Sequence, residues 1–435
     1  MQTRLISALI MTFYSLFYCL AFFILLPYFF YQMRKHNKYC QGISQRFGFF
    51  SPLLKEQLKQ QNNIWIHAVS VGELIAAGPL IYALKKQYPS YHCVITTTTY
   101  TSQTLAHKRY ASQATVLYAP LDFPLVTQKY HSIIQPKIFC IMETELWPNM
   151  IYHTNKKNCR AYLVNARLSE KSRQKYALLQ GFFKHLLLRF DHICVQSERD
   201  LKRFLDIGVP ATQLNVTGQF KYEVASQVTE LWGKQISPLL SEDADRYLMA
   251  ASTHPGEDQI ILDLYSDLKK EMPQLKLLLA PRHPERCPDI IKIIQQSQLT
   301  VTLWNAIQET SPCSLQTEVL LINTIGDLPL FYTIASLVIM GGSFVPHGGQ
   351  NPLEAAALGK AIITGPHMFN FQDILEELVA HHGIVQLKDK QELLRSAREL
   401  LQDRTKATAI GKAAQKSIDN NLGSVDKTLA IIVNK

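Results

Sequence analysis

Apolar and polar positions along this chain follow two repeating rhythms, preceded by a stretch with no rhythm at all. From Leu5 to Met33 no residue carries a formal charge, and the run LISALIMTFYSLFYCLAFFILLPYFF exceeds the ~20 residues that a membrane-crossing helix needs. A cleavable signal peptide would have a shorter apolar stretch of ~7–15 residues and a small-x-small cleavage site, and neither is evident. Residues 1–33 are therefore predicted to form an uncleaved membrane anchor. Arg34, Lys35, Lys38 and Arg46 follow it, while only Arg4 and the amino terminus precede it, so the positive-inside rule assigns the body of the chain to the cytoplasmic side. Tyr28 and Tyr31 suit the interfacial belt. Pro27 leaves open a shorter span from Leu5 to Leu26, or a helix that bends along the inner leaflet.

Beyond the anchor, short β-branched runs alternate with amphipathic helical patterns: IWIHAVS (64–70), HCVITTTT (92–99), TVLYA (115–119), KIFCIM (137–142), RAYLVN (160–165) and HICVQ (192–196). This is the pattern of βαβ units around a parallel sheet buried on both faces. It stops near residue 225. A second series follows in YLMAAS (247–252), LKLLLA (275–280), EVLLIN (318–323), SLVIMGG (336–342) and AIIT (361–364). Two tandem Rossmann-like domains are predicted, at 34–225 and 247–435, joined by a polar linker at 226–246. Two such domains facing each other would gather the carboxyl ends of both sheets around one cleft, so chemistry is sought in the loops after strands. The helices from Lys388 onward are rich in Ala, Leu, Lys and Gln and are candidates to pack back on the first domain.

Composition narrows the picture. With 435 residues, 47% hydrophobic and 18% charged, the chain has material for two cores, which excludes a disordered protein. The mean hydropathy of -0.03 excludes a many-span transporter and averages one very apolar segment with a more polar body. A net charge of +10 and a pI near 9.0 point to anionic partners. The 8 cysteines are scattered with no metal-binding spacing, so a reducing compartment and no structural metal are expected.

The candidate chemistry falls after strands. In HAVSVGELIAAGPLI (67–81), Glu73 opens a helix just beyond a buried strand. A carboxylate there is stabilised by the helix dipole whether or not it reacts. As a general base it would need burial to raise its pKa from ~4.3 toward neutrality. IMETELWPN (141–149) offers Glu143 and Glu145, which strand alternation would send to the same side; partnership with Arg167 is the structural alternative. In NVTGQFKYE (215–223), Lys221 follows a turn at Gly218. In the second domain, Pro281, Arg282, His283 and Arg286 form a cationic cluster fit for a phosphate, and Ser252, Thr253 and His254 make a polar turn suited to an anion or to a helix cap. The stretch 341–373 surrounds a helix expected from Pro352 to about Gly359 with glycines, and Glu354 in its first turn could accept hydrogen bonds from ribose hydroxyls. Asp243-Ala244-Asp245 matches a metal-binding DxD pattern, but its place in the linker marks it as solvated charge.

Seven ordered motifs, SVGE (70–73), METELWPN (142–149), NARLS (165–169), VTGQFKYE (216–223), APRHPER (280–286), GGSFVPHGGQNPLE (341–354) and GPHMFNF (365–371), together resemble the lipopolysaccharide 3-deoxy-D-manno-octulosonic acid (Kdo) transferases. The resemblance runs from the anchor to about residue 375. It implies an α/β protein of the GT-B type that moves Kdo from CMP-Kdo to a lipid A precursor at the cytoplasmic face of the bacterial inner membrane, without a metal. It further implies Glu73 as proton acceptor and Glu143 and Lys221 as transition-state stabilisers. Pro281, Arg282, Ile325, Gly326, Asp327, Asn351, Pro352, Leu353 and Glu354 would hold the CMP moiety. Two positions depart from the family pattern: Ile325-Gly326-Asp327 stands where Met-Gly-Glu is usual, and His347 where Arg is common. A UDP-sugar epimerase would share the architecture but not METELWPN. A membrane-anchored basic binding module would need a clustered basic stripe, whereas these basic residues are dispersed and no nucleic-acid motif occurs.

Overall fold

A computed structural model describes residues 2–36, 41–154, 159–232, 246–308 and 317–434. The chain divides into two units, Met1–Glu223 with Gly423–Lys435, and Val224–Leu422. The DxD-like Asp243 and Asp245 lie outside the described residues, as does most of the expected linker, while a helix Phe220–Trp232 runs into its start.

The first unit holds seven parallel strands: β1 (Asn63–His67), β2 (His92–Thr97), β3 (Ala114–Tyr118), β4 (Pro136–Met142), β5 (Arg160–Ala166), β6 (His192–Val195) and β7 (Leu214–Val216). Their order is β3-β2-β1-β4-β5-β6-β7, so chain direction across the sheet reverses between β1 and β4. Both faces are covered, which is why β1 is buried at all five positions and its centre, Ile64-Trp65-Ile66, is apolar without alternation. One face packs Trp65, Phe139, Leu163 and Phe204; the other packs Ile66, Leu74, Cys140 and Tyr162.

The second unit repeats the design with β8 (Arg246–Thr253), β9 (Leu275–Pro281), β10 (Val301–Leu303), β11 (Val319–Leu321), β12 (Leu337–Met340), β13 (Ile362–Thr364) and β14 (Val385–Gln386). All pair in parallel, in the order β10-β11-β9-β8-β12-β13-β14, with the reversal between β8 and β12. The edge strands β10 and β14 have three and two residues and are not among the predicted runs.

The second expected domain extended to residue 435, but residues 423–435 group with the first unit. The physical reason is an apolar face: Val425 and Ile432 of the final helix Ser424–Val433 enter the same core cluster as Leu74 and Ala77 of helix Val71–Gln87. The helices Leu393–Gln402 and Arg404–Asn420 stay with the second unit.

The N-terminal helix spans Gln2–His36 and runs through Pro27. Its stretch Leu9–Tyr28 is long and apolar enough to cross a membrane, with a mean hydropathy of 2.3 and 6% of it buried. Polar groups tie it to the first unit. The Tyr14 hydroxyl donates to Asp122 Oδ2 at 2.9 Å, and Ser15 Oγ donates to Asn149 Oδ1 at 3.0 Å. Phe22 packs edge-on against Phe123, with ring centroids 5.0 Å apart.

The packing of the last helix is directly testable. Ile432 is fully buried, so Ile432→Ala should destabilise the first unit by about 2–5 kcal/mol, seen as a lower urea midpoint. An unchanged midpoint would mean that this helix does not close the core.

Candidate functional site

Each unit presents a cluster of polar groups where its sheet order reverses, and there the loops after two neighbouring strands diverge to opposite faces and leave a crevice. In the first unit these are the loops after β1 and β4. Ser70 caps helix Val71–Gln87 by accepting from Glu73 N at 3.3 Å, and its hydroxyl donates back to Glu73 Oε1 at 2.8 Å. Val69 N–H donates to Glu73 Oε2 at 2.8 Å. Helix and carboxylate therefore fix each other. Glu73 is 7% exposed, and burial pushes its carboxyl up to about 7, helped by the negative charges of Glu145 and Glu143 and opposed by the two hydrogen bonds.

The strand β4 ends at Met142, so the expectation that Glu143 and Glu145 alternate along a strand fails. Glu143 takes a left-handed conformation (φ 54), uncommon for a residue with a side chain, and turns the chain sharply. Its carboxylate accepts from Arg167 Nε at 3.1 Å, the pairing that sequence offered as the structural alternative. Burial, with Glu143 beside it, raises Glu145 as well. The turn is braced from behind by Asp122, a residue that sequence reasoning missed. Its buried carboxylate accepts from the N–H groups of Asn149 and Met150, at 3.0 and 2.9 Å, at the start of helix Pro148–Tyr152.

Lys221 lies in the first turn of helix Phe220–Trp232. Gly218 (φ 99) makes the turn that precedes it, and buried Asn165 (φ 53) accepts the Phe220 N–H on Oδ1 at 3.1 Å. Two residues on, Glu223 Oε1 accepts from Gly423 N at 2.7 Å and Ser424 Oγ at 3.2 Å. Asn165 was visible only as part of the NARLS motif; nothing local to it signalled a left-handed residue at the end of a strand.

In the second unit the reversal lies between β8 and β12. The turn after β8 is not the Ser or Thr cap considered from sequence, because the helix begins at Glu257 with Gly256 as its cap. Thr253 instead donates to Asp258 Oδ1 at 2.8 Å. Arg286 is also withdrawn from the expected phosphate cluster: it pairs with Asp258 and donates to Thr253 O at 3.0 Å. Arg282 and His283 remain exposed, and Arg282 N–H donates to Thr253 O at 3.0 Å.

The residue that organises this site is one that the sequence did not single out. Glu257, 1% exposed, accepts from the N–H groups of Gly342 (2.6 Å), Ser343 (3.0 Å), Phe344 (2.9 Å) and His254 (2.8 Å), joining the turn after β8 to the glycine-rich turn after β12. Gly341 has to be glycine there, since a Cβ would stand 2.3 Å from Ser252 O. The expected helix from Pro352 to Gly359 is shorter, Leu353–Ala357, with Asn351 Oδ1 accepting Leu353 N–H at 3.2 Å. Pro352 and Leu353 are buried, and burial raises the carboxyl of Glu354. In the separate Ile325-Gly326-Asp327 turn, Ile325 is exposed and Asp327 accepts from Trp304 Nε1 at 2.9 Å and Thr324 Oγ1 at 2.5 Å.

Comparison with known proteins places this geometry in a lineage. Residues 41–224 match the family model for 3-deoxy-D-manno-octulosonic-acid transferase (kdotransferase). The chain is 33% identical over 401 residues to the 3-deoxy-D-manno-octulosonic acid transferase of Haemophilus influenzae, covering 92% of both chains. It belongs to the Kdo transferase family. The enzyme of that name from Rickettsia felis is 32% identical over 388 residues, 88% of this chain and 82% of the relative. Within this Kdo transferase, residues 260–417 match the model for glycosyl transferases group 1. The UDP-GlcNAc 2-epimerase from Neisseria meningitidis, bound to UDP-GlcNAc, covers 86% of this chain and all of its own at 13% identity and a TM-score of 0.60, which shows a shared GT-B fold.

The Glu257 hub carries a prediction. Glu257→Ala leaves four N–H groups without their acceptor, each worth about 1–3 kcal/mol when buried. Amide hydrogen exchange at residues 342–344 should accelerate more than about tenfold, and unchanged protection would show that the turn holds itself.

Proposed function

We propose that this chain transfers Kdo from CMP-Kdo to a hydroxyl of a lipid A precursor, with Glu73 as general base. The observation that carries this reading is the state of Glu73: a buried carboxyl at the end of a switch-point strand, raised to about 7, in the range where a carboxylate accepts a proton and releases it again. In the reacting step the acceptor oxygen bonds to the anomeric carbon while the bond from that carbon to the phosphate oxygen breaks. The acceptor's proton passes to Glu73, and CMP departs with the bonding electrons. Attack opposite the leaving group inverts the anomeric centre. Glu143 and Lys221 supply charge for the oxocarbenium-like transition state. The leaving group bears a single phosphate, so the Arg282 guanidinium and neighbouring backbone suffice to stabilise it, and this reading requires no metal. Pro281 with Arg282, the Ile325-Gly326-Asp327 turn and Asn351-Pro352-Leu353-Glu354 hold the CMP moiety.

Two features of the first unit support a lipid-linked acceptor. Phe13, Phe17, Leu20 and Phe23 of the N-terminal helix are each more than half exposed, an apolar face suited to a bilayer. Between that helix and its own unit lies an apolar groove of about 1410 Å³, lined by residues including Met11, Phe22, Leu26, Phe47, Phe123 and Trp147. In this reading the helix anchors the enzyme at the cytoplasmic face of the inner membrane.

The test is Glu73→Gln, which keeps the size of the side chain and removes the base. Kdo transfer to a lipid A precursor should fall by at least about a hundredfold, with CMP binding retained. Turnover near that of wild type would exclude Glu73 as the base. The sign of the pH dependence follows from the raised carboxyl: below about 7 the protonated form predominates and cannot accept a proton, so the wild-type rate should climb through pH 7. A rate already flat from pH 5 upward would contradict the assignment.

A further inference from the structure

Three imidazoles meet at the switch point of the second unit. The rings of His254, after β8, and His347, in the turn after β12, stack with centroids 4.3 Å apart and planes 23° from parallel. His283, after β9, stands edge-on to His254 at 6.0 Å. Stacking of two imidazoles is unfavourable when both are charged, so the arrangement invites an explanation in terms of what else occupies the crevice.

The surroundings of the trio are cationic. His254 is faced by His347, His283, Arg282 and Arg286, and burial together with these charges lowers its pKa. The two carboxylates packed against the turn are already engaged: Glu257 by four backbone N–H groups, Asp258 by Arg286 and Thr253. Among the described residues the polar side chain bonded to the His254 ring is neutral: Gln350 Nε2 lies 2.9 Å from His254 Nε2. The trio is also held in position. A Cβ on Gly342 would come within 3.2 Å of the His254 ring, so the turn closes directly over it. Asn370 Nδ2 donates to His347 O at 2.9 Å, fixing the loop that carries the second ring. An electropositive crevice at the carboxyl ends of a parallel sheet is a place for an anion.

A ulosonic-acid donor carries two anions on one carbon, since its anomeric centre bears both the phosphate ester and the sugar carboxylate. We propose that His254 and His347, flanked by His283, form the receptor for the donor sugar's carboxylate, distinct from the residues that hold the nucleotide. The inference rests on the donor reading above and names the side chains that would distinguish a ulosonate donor from the bare nucleotide. A carboxylate entering there supplies counter-charge to the cationic groups around the rings and accepts hydrogen bonds from imidazole N–H groups.

The experiment is equilibrium binding of CMP-Kdo and of CMP to the full-length protein, wild type beside His347→Ala, His347→Arg and His254→Gln. His347 is exposed and its loop is fixed through backbone, so its variants keep the fold; His254→Gln provides a second, independent probe. Both His347→Ala and His254→Gln should weaken CMP-Kdo roughly tenfold, the loss of one charge-assisted hydrogen bond, with CMP affinity changed less than about twofold. His347→Arg should retain CMP-Kdo affinity, because a guanidinium supplies the carboxylate with a charged donor in place of the imidazole. Equal losses for both ligands would assign the imidazoles to the nucleotide phosphate and overturn the proposal, as would no loss for either. A wild-type protein that binds CMP but gains nothing from the sugar also overturns it while leaving the nucleotide site intact. A wild-type protein that binds neither removes the donor reading itself.

Discussion

Parallel strands all finish at the same edge of their sheet, and this constraint governs the rest of the molecule. In each unit the order of strands reverses once, between β1 and β4 and between β8 and β12, and the two loops flanking each reversal separate. Nothing in the sheet can satisfy the backbone groups exposed there, so buried carboxylates do it. Glu73 accepts from Val69 N–H and Ser70 Oγ, Asp122 from Asn149 and Met150, and Glu257 from four N–H groups across two turns. Removing water from these carboxylates raises the pKa where compensation is incomplete, as at Glu73 and Asp122, both pushed up to about 7. At Glu73 and Asp122 the same burial that ties down a loop beside the sheet edge also raises the carboxyl.

The same economy links the apolar helix to the turn that carries Glu143 and Glu145. Asp122 receives the Tyr14 hydroxyl from the N-terminal helix and the N–H groups that begin helix Pro148–Tyr152, immediately after the Glu143–Trp147 turn. The helix is therefore more than a tether in this fold; it completes the hydrogen bonding of a buried carboxylate that braces the loop bearing Glu143 and Glu145.

How much of this was legible in the sequence depended on whether a signal was local. The strands of both sheets appeared as β-branched runs because both faces are buried, and the tandem α/β design followed from their rhythm. Strands β7, β10 and β14, short and at sheet edges, did not stand out as such runs. Glu73 could be singled out because a cap, a glycine and a carboxylate fall within six residues of a strand end. Glu257 could not: its four partners are backbone groups, three of them about 85 residues away, and backbone N–H groups leave no trace in a sequence. Arg286 looked like a phosphate ligand until Asp258 was seen beside it, and Glu143 looked like a strand residue until its left-handed backbone was known. Packing of the C-terminal helices back on the first domain was expected from their composition, but only the final helix does so, since composition does not say which apolar face enters which core.

The central claim is that burial at a strand end sets Glu73 up as a proton acceptor near neutrality. Direct titration of that carboxyl in the full-length protein, by carbon-13 NMR of labelled glutamate with Glu73→Gln as the assignment control, tests it without reference to turnover. The account predicts a midpoint near 7. A midpoint near the ordinary ~4.3 of a solvated glutamate would contradict it.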